Sequence, residues 1–220
     1  MTPVHGYPKA PAPEGAGPRR RRRRFRIAAL ATAAVLTALT AAACSAGDNS
    51  TGSSPGASRS SAPGTPMAAS VPDRIVIPSI GVNAHLASVG LQPDGQMEEP
   101  SFDAPADAAW YRRGPTPGEA GPATIVGHLD TPTTPEAVFY KLPDLKKGDE
   151  IDVKRQDQST AVFDVDSVET FLKDQFPTQK VYGDTGGKAE LRVITCGGSL
   201  TNDRHWDSNV VVFAHLVGKS

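Results

Sequence analysis

From residue 73 onward, apolar and polar positions alternate with a period of two in short runs separated by Gly, Pro, Asp and Asn. Such spacing sends successive side chains to opposite faces of a strand. RIVIPSI (74–80) and VNAHLASV (82–89) are therefore predicted strands, and QPDG (92–95) a turn that sends the chain back. ATIVGH (123–128) is an apolar strand ending in His128, followed by the turn-rich LDTPTTP. GDEIDVKR (148–155) and STAVFDVDSVETFL (159–172) alternate well enough to pair antiparallel. AELRVITC (189–196) and SNVVVFAHL (208–216) are the most strand-like pieces, joined by an eleven-residue loop, 197–207. Helix is predicted only for ADAAWYRRG (106–114), closed by Gly114, and for one or two turns in PEAVFYKL (135–142). The pattern has no internal repeat and no dominant helix, which predicts a compact antiparallel β-barrel or sandwich.

The first 72 residues follow another pattern. Residues 1–26 lack any period and end in a block of arginines, Arg19 to Arg24 and Arg26, as expected of a disordered basic cytoplasmic tail. IAALATAAVLTALTAAA (27–43) is seventeen residues without a charge. Positive charge ahead of such a segment stays on the cytoplasmic side, so residues 27–45 are expected to be a single-pass membrane anchor with the C-terminal body outside the cell. A cleaved signal peptide and a lipoprotein signal at Cys44 compete with this reading, although AAAC lacks the leucine usual three residues before the cysteine. Residues 46–72 are a Ser/Gly/Pro/Ala linker, and a folded domain is expected over 73–220.

Charge sharpens the division. Residues 1–26 carry eight Lys and Arg against one acid, and the remaining 194 carry 15 against 23. A mildly acidic body argues against nucleic acid as a partner, because the basic block is confined to the tail. Cys44 and Cys196 are the only cysteines, so the body has nothing to pair with Cys196. A lone cysteine at a strand end is most often an inert small hydrophobe. Gly197 and Gly198 argue otherwise, since they are expected to leave the backbone beside the sulfur open to a ligand. A thiol needs a neighbouring base or cation to become a nucleophile. His128, at the end of a buried strand, is the first candidate for the base, ahead of His205 in the loop after the cysteine. Arg204 is the one arginine after Cys196, and its fork of donors suits a developing negative oxygen. His128 and Asp130 have a ligand-like spacing, but HExxH and CxxC are absent, so neither a metal nor any other cofactor is expected.

Taken together these residues resemble the sortases, the membrane-anchored cysteine transpeptidases of Gram-positive bacteria, and most closely the class F type of actinobacteria. The resemblance spans about residues 73–217. It rests on RIVIPSIGV, VGHLDT around the histidine, AVFYKL, LKKGDEIDV, FPTQKVYG, LRVITCGG around the cysteine and NVVVFAHL. It implies an eight-stranded sortase-type β-barrel with short helices, and a catalytic set of Cys196, His128 and Arg204. In the best-known sortases the arginine lies at the start of the final strand, near this chain's Ser208 and Asn209; class F relatives can carry it earlier in the loop. The implied reaction is cleavage of an LPXTG-like sorting signal through a thioacyl-enzyme, then transfer of the protein to a cell-wall amine. Thr195 is the expected substrate contact beside the nucleophile, and Asp130 is expected to shape the loop holding His128. Two other readings stay open: a cysteine hydrolase acting on peptidoglycan or peptides, and a non-catalytic surface module in which Cys196 is structural.

Overall fold

The computed structural model describes residues 7–9 and 63–220. The described elements are strands β1 (Tyr7–Lys9), β2 (Pro72–Ile77), β3 (Val82–Val89), β4 (Gln96–Met97), β5 (Ala108–Tyr111), β6 (Gly121–Val126), β7 (Glu150–Arg155), β8 (Thr160–Leu172), β9 (Ala189–Leu200) and β10 (Trp206–Lys219), with one short helix α1 (Thr178–Tyr182) and three 3₁₀ turns. Eight strands close into a barrel in the order β10-β8-β7-β2-β3-β5-β6-β9, while β1 pairs with β4 outside it. Closure removes the sheet edges that an open sheet of this size would expose.

The barrel is not wholly antiparallel. β5 runs parallel to β3 and β6 runs parallel to β9. β5 is also where local preference misleads, because alanine-rich ADAAWYRRG reads as helix yet Ala108–Tyr111 is a strand. All four residues are buried, so the segment lies in a slot between β3 and β6 covered on both faces. Burial and two hydrogen-bonded ladders outweigh a helix preference worth under about 1 kcal/mol per residue. PEAVFYKL forms turns, with a 3₁₀ turn only at Leu142–Asp144. The β9–β10 connection is shorter than expected, because β9 runs on to Leu200 and β10 starts at Trp206.

The barrel interior is filled by Ile75, Ile125, Ile151, Phe163, Leu191 and Val212 among others. A second cluster, including Ile194, Val211 and Phe213, packs on the outer face under Phe171, Phe176 and Tyr182. β9 is thus covered on both sides, Leu191 and Val193 pointing in and Ile194 pointing out. By this alternation Cys196 belongs to the outer face.

The stretch before β2, expected to be linker, lies against the barrel. Gly64 donates its N–H to the Leu216 carbonyl, Met67 to that of Gly118, and buried Arg155 donates to the Ala68 carbonyl. Tyr7–Lys9, in the stretch expected to be disordered, pairs with β4 and buries the Tyr7 ring in the outer cluster. The expected anchor, 27–45, lies outside the described residues, among which no helix is long and apolar enough to cross a membrane.

Candidate active site

The parallel pairing of β6 with β9 brings the two central groups together. Its last pair is Val126 with Ile194, so Gly127 and His128 leave β6 alongside Thr195 and Cys196. Gly127 donates its N–H to Ile194, and Thr195 Oγ1 donates to the Gly127 carbonyl at 2.7 Å. A side chain at 127 would run into the Phe139 ring, which is why this crossing requires glycine. His128 and Cys196, 68 residues apart, thereby share one cavity of about 590 Å³ with Tyr7, Phe102, Lys173 and Arg204.

His128 is buried and held from two sides. Its Nε2 lies 2.8 Å from the Pro100 carbonyl, and its ring stacks on Phe102 with centroids 4.6 Å apart. A carbonyl only accepts, so Nε2 carries the proton and Nδ1 is the nitrogen left for proton exchange. Asp130 Oδ1 accepts a hydrogen bond from Trp206 Nε1 at 2.9 Å, tying the loop after His128 to the start of β10. His205 also lines the cavity, half-buried on the 201–205 turn.

Cys196 is partly buried, with Lys173 Nζ donating to its sulfur at 3.6 Å. Burial pushes the thiol above its ordinary value; the Lys173 charge and hydrogen bond pull it back, while Glu99 and Asp130 push it up. The resting nucleophile is therefore a neutral thiol near pH 7. Tyr7 lies beside it, its phenol raised by burial and further by the sulfur and Glu99.

Thr195 is fully buried and its hydroxyl donates to the Gly127 carbonyl, a brace between the cysteine and histidine strands. At both glycines the place a side chain would take is already filled. Space beside Gly197 is taken by the Val210 side chain, and Gly198, at φ 86°, packs against Asp207 and Ser208. They serve the β9–β10 pairing. Arg204 reaches the cavity from an exposed turn, with its backbone in the left-handed region at φ 62°. Directly across from Cys196 on β10 stands Asn209, uncharged and buried.

Sequence reasoning missed the wall formed by Glu99, Pro100 and Phe102, and it missed Lys173. Lys173 follows a strand predicted to end at residue 172, so its place at a strand end was readable; its distance to the sulfur was not. Among the described residues no group of three or more His, Cys, Asp or Glu side chains gathers as a metal site requires.

A family model described as the sortase domain matches residues 75–217. Solved structures share the fold. Sortase A from Corynebacterium diphtheriae, in a lid mutant, aligns with TM-score 0.52 at 21% identity over 67% of this chain and 70% of that one. Sortase C-1 from Actinomyces oris aligns with TM-score 0.51 at 22% identity over 66% and 73%. Sortase C2 of Group B Streptococcus Pilus Island 1 aligns with TM-score 0.50 at 19% identity over 66% and 73%. A comparison with curated proteins finds no match.

Proposed function

This chain belongs to the sortase family, and on that premise we propose that it is a cysteine transpeptidase of the class F type, cleaving an LPXTG-like sorting signal and passing the released acyl group to a cell-wall amine. The observation that carries the reading is the shared cavity, in which a thiol, a fixed imidazole and two cations from separate parts of the chain meet.

The steps follow from the side chains. Cys196 loses its proton to the His128 ring as the sulfur attacks the carbonyl carbon of the scissile peptide bond. The tetrahedral oxygen carries negative charge, and Arg204 on the cavity rim supplies donors that stay cationic at any working pH. The C–N bond breaks, His128 protonates the departing amine, and a thioester remains on Cys196. An incoming amine then gives up its proton to His128, attacks the thioester and expels the sulfur. This chemistry calls for no cofactor.

The chain is placed at the cell membrane, held through residues 27–45 with the catalytic domain extracellular; the arginine block ahead of a charge-free segment supports this.

The test is a transfer assay with a sorting-signal peptide, with and without a primary amine acceptor, alongside Cys196→Ala. A ligated product dependent on Cys196 is expected. Hydrolysis that the amine never diverts would favour the hydrolase reading instead.

A further inference from the structure

We propose that Lys173 is the cation that holds the negative charge on the Cys196 sulfur, leaving Arg204 to serve the substrate oxygen alone. The inference deepens the transpeptidase reading and rests on it. Lys173 Nζ donates to Sγ at 3.6 Å. Strand register brings the two segments close without pairing them: Cys196 stands in one row with Asn209 and Phe171, and Lys173 lies two residues beyond Phe171. β8 pairs with β10 through Leu172 and Ser208, and β10 pairs with β9 through Ser208 and Gly197, so these three residues stand side by side across the sheet. Lys173 and Cys196 are offset from that row in opposite directions, and the long lysine side chain makes up the distance to the sulfur. Arg204 instead sits at the tip of an exposed turn, and the residue directly opposite Cys196 on the last strand is the neutral Asn209.

The site needs such a cation. Tyr7, Glu99, His128, Asp130, Lys173, Asp203, Arg204 and His205 are the titratable and charged groups that line the cavity with Cys196, and the Glu99 and Asp130 carboxylates disfavour a thiolate. Lys173 opposes them with a full charge and a donated proton. It matters twice: when the thiol gives its proton to His128 during attack, and when the sulfur leaves as a thiolate on collapse of the second tetrahedral intermediate.

Lys173→Met keeps the stem and removes the charge; Lys173→Arg keeps the charge. The measurement is the rate of Cys196 alkylation by iodoacetamide against pH, read on the full chain by mass spectrometry of the peptide that carries Cys196, with thermal melting as a check on folding. Lys173→Met is expected to move the profile to higher pH and slow alkylation near pH 7 by about tenfold, the equivalent of one pH unit. Lys173→Arg restores most of the rate, and Arg204→Met leaves the profile in place. A folded Lys173→Met protein with the wild-type profile overturns the proposal, as does a shift caused by Arg204→Met in its stead. Should Lys173→Met misfold, Lys173→Gln supplies the same comparison. Alkylation needs no peptide, so it separates the two claims: a wild-type protein showing this Lys173 dependence yet never taking an acyl group counts against the transpeptidase reading, not against the Lys173–Cys196 contact.

Discussion

Thr195→Val removes one hydroxyl and keeps the shape of the side chain. In the native protein that hydroxyl donates to the Gly127 carbonyl at 2.7 Å in a fully buried position. The valine leaves the carbonyl facing a methyl group, and a buried acceptor without its donor costs about 1–3 kcal/mol. Taking about 2 kcal/mol, a domain of this size should melt roughly 4–8 °C lower. The same bond joins the residue before His128 to the residue before Cys196, so its loss also loosens the spacing of the two reacting groups. A misplacement of about 1 Å can cost as much as ~100-fold in rate, so kcat is expected to fall with KM little changed. Thr195→Ser keeps the donor and should recover most of both losses. Thermal melts and steady-state transfer kinetics on the three proteins make the comparison. A Thr195→Val protein that melts with wild type while its KM rises would refute the brace and favour Thr195 as a substrate contact.

Other perturbations of the cavity have signs set by the same geometry. Glu99→Gln removes a carboxylate that disfavours the thiolate, so the alkylation profile of Cys196 should move to lower pH; an unmoved or upward-moving profile would show that Glu99 does not act on the sulfur. Tyr7→Ala uncovers the thiol and should speed iodoacetamide labelling severalfold at fixed pH; equal rates would mean that Tyr7 does not screen Cys196. Arg204→Lys keeps the charge but loses the planar fork, so turnover should drop substantially while stability changes by about 1 kcal/mol or less at an exposed turn. Unaltered turnover would move the oxyanion role to another group.

The parts legible in the sequence are those decided by local pattern. Alternation located β3, β7, β8, β9 and β10, because a strand with one polar face advertises its period. It failed at Ala108–Tyr111, where a strand buried on both faces shows no alternation and its alanines favour helix locally. It also missed the parallel pairings, which depend on how the barrel closes. At the site, Cys196 and His128 stood out as reactive residues at strand ends beside glycines. The bond from Thr195 to Gly127 was not legible, because it joins two segments far apart in sequence, and Thr195 lies on the opposite face of its strand from Cys196. Lys173 and Phe102 were invisible as partners, since each meets its target only through contacts between distant segments.

The most direct test of the account is mass spectrometry of the purified protein after brief exposure to a sorting-signal peptide without an acceptor amine. The expected result is an added mass equal to the acyl portion of the peptide, mapped to Cys196, discharged by a primary amine, and absent from Cys196→Ala. An unmodified Cys196 in a folded protein whose thiol iodoacetamide reaches freely would contradict it.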